Sequence, residues 1–217
     1  MTLEEMAGIK HIFITHSHLD HITGLPLLLD SVFEKLKQPV IVHAQPQTLD
    51  ALRKHIFNNV IWPDFTRLPT RDKPVLAFEE LTPGNQCELG GRSFEMVPVK
   101  HVVPAVGYVV HNQTGTFAFS GDTSSNDTFW DALNKLPQLD LLLVEAAFAN
   151  KDIQLSHLAG HYCPELLARD LVKLNHQPEV YITHNKPGEE ELIFSECQSA
   201  IRSHKINRLS SEQVFTV

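Results

Sequence analysis

Apolar residues fall along this chain in short runs broken by polar or Gly/Pro positions, and the spacing inside each run predicts its element. Ile9 to Thr15, centred on Ile12-Phe13-Ile14, reads as a buried strand. Leu25, Leu27, Leu28 and Val32 recur at helical spacing and predict a helix soon after residue 21. Val40-Ile41-Val42 is a second short strand, and Pro46 to Phe57 a helix with Leu49, Leu52 and Ile56 on one face. Residues 58–74, broken by Pro63, Pro69 and Pro74, read as a loop or lid. From Val75 to Val110 short apolar runs alternate with Pro83-Gly84 and Gly90-Gly91, the punctuation of antiparallel strands. Gly115–Ser120, Leu139–Val144 and Glu179–Thr183 follow as strands. Pro164–Leu174, with proline in its first turn, and Glu189–Ser203 follow as helices.

The pattern predicts an α/β protein with a mixed sheet, one domain spanning residues 1–217, with no internal repeat or low-complexity tract. Strand after strand ends on a residue that can bind a metal or move a proton: His16, Asp122, Glu145 and His184. Loops at strand ends are where a rigid scaffold presents chemistry.

Composition narrows the field. With 42% hydrophobic residues the chain can bury a substantial core. No run reaches the roughly 18 apolar residues of a membrane span, and the acidic opening Met1-Thr2-Leu3-Glu4-Glu5 is unlike a signal peptide. A cytoplasmic protein with no membrane partner is expected. A net charge of −8 argues against a surface that tracks a nucleic acid polymer. It leaves a small anionic substrate open, because divalent ions would reverse the sign locally. Cys87, Cys163 and Cys197 form no CxxC pair and read as buried free thiols of a reducing compartment.

The densest chemistry is His16-Ser17-His18-Leu19-Asp20-His21, three imidazoles and one carboxylate within six residues. Nitrogen and oxygen donors of this kind suit Zn²⁺, Mn²⁺ or Fe²⁺. Alternate side chains of an extended segment point the same way, so His16 and His18 can grip one ion together. Asp20 and His21 leave the backbone in another direction, which suits a second ion beside the first. Without a metal the stretch would be a polar loop of solvated histidines. His11, His43, His55, His111, His176 and His204 lie outside any ligand spacing and read as structural or surface residues.

His16-x-His18-x-Asp20-His21 resembles the metal-binding signature of the metallo-β-lactamase superfamily. The longer string through Ile22-Thr23-Gly24-Leu25-Pro26 is similar to a narrower group, the class II cyclic-nucleotide phosphodiesterases. Ile61-Trp62-Pro63-Asp64-Phe65, His101-Val102-Val103-Pro104-Ala105-Val106-Gly107-Tyr108 and Tyr181-Ile182-Thr183-His184-Asn185-Lys186-Pro187-Gly188 resemble that group's other landmarks.

The resemblance implies an αββα sandwich and two divalent ions, zinc first, with manganese or iron as alternatives. His16, His18 and His101 would hold the first ion, Asp20, His21 and His184 the second, and Asp122 would bridge them. It implies hydrolysis of cyclic AMP or GMP to the 5′-monophosphate by a metal-bound hydroxide. Asp20, His161 and Glu145 would be the catalytic residues, and His161 and Lys186 would meet the substrate phosphate. His161 would protonate the leaving oxygen or bind phosphate with Glu145 as its partner. His157 could take its place, and His161 and Glu145 could equally be a helix-start histidine and a solvated strand end. Lys186 could equally be a solvated loop lysine. Trp62 and Phe65 either stack on a purine or plug the core.

The family carries further strands before this point, and the chain opens only about ten residues ahead of the His16 loop, so either the reading frame is truncated or those first strands are absent, which would leave a sheet edge unpaired. The competing readings are a tRNA 3′-processing endonuclease of the same superfamily and a truncated remnant that binds metal or nucleotide without turnover. A homodimer stays open.

Overall fold

In the computed structural model, which describes residues 1–217, the chain divides into two units, Met1–Thr82 and Pro83–Val217. The first runs α1 (Leu3–Ala7), β1 (His11–Phe13), α2 (Leu19–Ile22), α3 (Gly24–Val32), β2 (Val40–Ala44) and α4 (Pro46–Ala51). The short antiparallel pair β3 (Pro69–Thr70) and β4 (Lys73–Pro74) and then β5 (Leu76–Glu80) complete it.

β1, β2 and β5 form a three-stranded sheet in that order, all parallel. Period-2 alternation gives the sheet two different faces. Ile12, Val42 and Phe78 belong to an apolar cluster with Leu25 and Leu29 of α3, Leu49 of α4, and Leu52, Phe57 and Phe65 beyond it. The other face carries His11, Phe13, His43 and Glu79, with Phe13 in register with His43 and His43 with Glu79. His43 stacks on Phe13 at 4.5 Å, and its Nε2 lies 2.9 Å from His11 Nδ1.

The second unit runs β6 (Gln86–Leu89), β7 (Arg92–Val99), β8 (Ala105–His111), β9 (Thr116–Phe119), α5 (Thr128–Leu133) and β10 (Leu141–Glu145). It continues with α6 (Ile153–Ala159), α7 (Pro164–Leu171), β11 (Glu179–Thr183), α8 (Glu190–Ala200) and β12 (Ile206–Arg208). Its seven strands lie in the order β12-β11-β10-β9-β8-β7-β6, parallel from β12 to β9 and antiparallel from β9 to β6. The mixed α/β character expected from the pattern is therefore present.

Phe129, Trp130 and Leu133 of α5, Leu167 and Leu171 of α7, and Ile193 and Cys197 of α8 form one cluster with Val109, Ala118, Leu142, Val144 and Val180 of the sheet. Each large side chain fully removed from water contributes about 1.5–3 kcal/mol before entropy is counted. Gly107 shows how tightly β8 is packed. A Cβ there would stand 2.7 Å from the Phe119 carbonyl oxygen and 2.9 Å from the Phe129 ring.

Several boundaries differ from those the pattern predicts. The strand expected over Ile9–Thr15 is regular only at His11–Phe13, although Ile14 N still donates to the His43 carbonyl at 3.0 Å. The helix expected over Pro46–Phe57 is α-helical to Ala51 and then widens into a π-helical turn at Leu52–Ile56. β5 leaves the antiparallel series expected over Val75–Val110 and pairs parallel with β2. Alternation fixes which side chains share a face, but a strand's partner is a nonlocal choice. Residues 58–74 are loop apart from β3 and β4, and α1, α5, α6 and β12 were not foreseen.

Candidate metal centre

In the first unit, β1 delivers the chain to the His16 loop. Backbone at His18 is extended, and α2 starts directly after it. Asp20 and His21 therefore leave from a helical turn while His16 and His18 leave from extended chain. His16 is fully buried, and its Nε2 lies 3.1 Å from His18 Nδ1. The His16 and His21 ring centroids are 4.2 Å apart, and His21 Nε2 lies 3.5 Å from Asp20 Oδ2. Thr15 Oγ1 meets His16 Nδ1 at 3.0 Å, which leaves Nε2 as the nitrogen turned towards the other donors. The four predicted donors of this loop converge.

In the second unit, Asp122, His161 and His184 offer donor atoms within 4.8 Å of one another. The two oxygens of Asp122 face different imidazoles. Oδ1 lies 3.4 Å from His184 Nε2, and Oδ2 lies 3.9 Å from His101 Nε2. One carboxylate oxygen is thus turned to each of the two imidazoles. His101 Nδ1 donates to the Gly160 carbonyl at 2.8 Å, which fixes its tautomer and presents Nε2. Imidazole and carboxylate donors with ordered outer partners fit a divalent ion such as zinc.

Glu145 ends β10 fully buried among donors. Its Oε1 accepts from Thr123 N at 2.8 Å and from His161 Nδ1 at 2.7 Å. Its Oε2 accepts from Ala147 N at 3.1 Å and from Tyr162 N at 3.2 Å. Burial pushes this carboxyl well above the ordinary carboxylate range, against the opposing pull of the Thr123 N–H. His161 Nδ1 faces this carboxyl, which leaves Nε2 as the ring nitrogen directed away from it. Spacing left His157 and His161 as alternatives. Glu145 pairs with His161, and His157 is exposed on α6.

Lys186 places its ammonium 5.3 Å from the centre of the Phe148 ring, and Phe148 meets His161 edge-on at 5.7 Å. Phe65 is buried in the first unit's core with Trp62 packed partly against it, the plugging role. The buried His43 and the His204–His176 contact, 2.8 Å from Nε2 to carbonyl, are structural, as expected. Phe148, Thr123 and Gly160 also touch the candidate centre, and no motif in the sequence marks the first two. Gly160 had a readable signal, a glycine between a short helix and His161, and it takes a left-handed φ of 72°. A cleft of about 550 Å³ beside His101 is lined by Lys100, Val102, Val103 and Asn126. A second cavity, of about 430 Å³, lies over Val110, Phe117, Leu141 and Phe215 and touches none of the candidate donors.

A sequence model of the β-lactamase superfamily domain matches residues 2–184. A probable 3′,5′-cyclic-nucleotide phosphodiesterase of Yersinia pestis is 31% identical, the match covering 88% of this chain and 63% of that protein. The 3′,5′-cyclic-nucleotide phosphodiesterase 1 of Saccharomyces cerevisiae is 29% identical over 86% of this chain and 50% of its own length. The chain thus spans half to less than two thirds of these curated relatives. Among solved structures, unliganded yeast PDE1 superposes with a TM-score of 0.81 at 24% identity, covering 96% of this chain and 68% of that one. No helix is long and apolar enough to cross a membrane.

Proposed function

Because the chain belongs to the β-lactamase superfamily and has its mixed α/β fold, we propose that it hydrolyses 3′,5′-cyclic nucleotides to 5′-monophosphates with two divalent ions, zinc foremost. The relatives' names supply the substrate class. The observation that carries the chemistry is the buried Glu145–His161 pair beside Asp122 and His184.

Following the family's order of ligands, we assign His16, His18 and His101 to one ion, Asp20, His21 and His184 to the other, and Asp122 to both. Bound ions of this kind supply Lewis acidity, an activated water and neutralisation of phosphoryl charge. The chain's own side chains do the rest. Asp122, with one oxygen turned to each imidazole, sets the spacing of the donors. Lys186, steadied over Phe148, meets a phosphate oxygen as a point charge. His161 gives its Nε2 proton to the departing 3′-oxygen while Glu145 holds Nδ1–H, and an alkoxide needs that proton to leave.

The test is the leaving-group dependence of His161→Ala. Turnover of cyclic AMP should fall ~10²–10⁴-fold, the usual worth of a positioned general acid. A p-nitrophenyl phosphodiester, whose leaving group is already acidic, should lose far less, and metal content should not change. Equal losses on both substrates would exclude the acid role.

A further inference from the structure

His161 is followed by Tyr162, whose side chain is fully buried and ends in a polar network unusual for an otherwise apolar core. The phenol donates to Asp170 Oδ2 at 2.6 Å and accepts from Trp130 Nε1 at 3.3 Å. Asp170, itself 4% exposed, accepts at its other oxygen from Lys173 Nζ at 2.7 Å, and Lys173 also meets Asp127 at 2.7 Å. Donor and acceptor order is fixed along the whole chain of bonds: indole to phenol, phenol to carboxylate, ammonium to carboxylate. The buried part of this network, Trp130, Tyr162 and Asp170, is hydrogen-bonded in one geometry, and Lys173 and Asp127 continue it to the surface.

The backbone of the same residue reaches the candidate centre. Tyr162 N donates to Glu145 Oε2, and its carbonyl accepts from Ala147 N at 3.0 Å. One residue earlier, the His161 carbonyl accepts from Ser156 Oγ at 2.8 Å, and His161 N donates to the Ser156 carbonyl. Two residues earlier, the Gly160 carbonyl holds His101 Nδ1. The turn Gly160–Tyr162 therefore orients His101 and His161 together, and its distal end is pinned by the phenol. We propose that Tyr162 is a positioning residue, and that its bond to Asp170 locks the Gly160–Tyr162 turn so that His161 keeps its proton contact with Glu145. This rests on the Glu145–His161 pair having the role assigned above. Its physical content, the rigidity of that pair, can be measured apart from turnover.

The experiment follows hydrogen exchange of the His161 Nδ1–H by NMR in the metal-free full chain, the resonance being identified by its loss in His161→Ala. Tyr162→Phe removes one buried hydrogen bond. Exchange should quicken by roughly tenfold relative to the Leu142 backbone amide of the same protein, which reports global opening. Asp170→Asn keeps a neutral acceptor for the phenol and should fall between, near ~threefold. If Tyr162→Phe does not fold, Asp170→Asn alone carries the test. His161 and Leu142 protons that quicken in parallel, or do not quicken at all, would overturn the proposal and leave Tyr162 a plain core residue. In metal-loaded protein Tyr162→Phe should lower kcat on cyclic AMP with little change in KM, and spare the p-nitrophenyl substrate. Loss of that contrast in His161→Ala itself would refute the acid assignment, while the exchange ordering would still decide the role of Tyr162.

Discussion

Asp122 occupies a Gly-Asp-Thr turn just past β9, a place where an aspartate usually serves the turn. Here it is 2% exposed, and its carboxylate oxygens are turned to two imidazoles from different elements. Its loss removes a shared donor without opening an apolar cavity. Asp122→Ala should cost at least ~10²-fold in cyclic AMP turnover while the thermal midpoint stays close to wild type. Near-normal turnover would remove Asp122 from the assigned ligand set. At this scale the His16-x-His18-x-Asp20-His21 loop was legible because its donors fall within six residues and the change from extended chain to helix splits them into two directions. Glu145 was harder to read. Its environment is built from the backbone N–H groups of Thr123, Ala147 and Tyr162, and sequence pattern does not announce main-chain donors.

Among the elements, β10, β11, α3 and α7 were legible because local signals agree. β11 has the predicted bounds, and α7 opens on Pro164 as the first-turn proline suggests. α1 carries a local signal at its start. Thr2 and Glu5 form a reciprocal capping box, with Glu5 N donating to Thr2 Oγ1 at 3.2 Å. The pairing of β5 with β2 could not be read, since the partner lies more than thirty residues away and no turn sets the register.

That sheet has a titratable face. Burial holds the His43 imidazole below its ordinary value of 6.5, with Glu79 opposing and His11 adding to the shift. Below pH 6.5 the unfolded chain takes up a proton at His43 that the folded chain accepts only at lower pH. Stability should therefore fall as pH drops from 6.5 towards the depressed folded value, and level off below it. Urea titrations of His43→Gln should show a flatter acid arm than wild type over that window. An unchanged arm would mean His43 does not carry the effect.

At the scale of the whole molecule, the hydrophobic pattern reaches only an α/β protein with a mixed sheet, while the His16-x-His18-x-Asp20-His21 motif carries the resemblance to the superfamily, whose model matches residues 2–184. The net charge of −8 leaves a small anionic substrate open, because divalent ions would reverse the sign locally. The activity proposed here therefore stands or falls with metal. Purified chain should be stripped with a chelator, shown to remain folded, and assayed on cyclic AMP before and after zinc is restored, with the product identified. Formation of 5′-AMP that vanishes on stripping and returns with about two zinc ions bound per chain is the expected result. A folded, zinc-loaded chain that makes no 5′-AMP, or a stripped chain that still turns over at the full rate, would refute it.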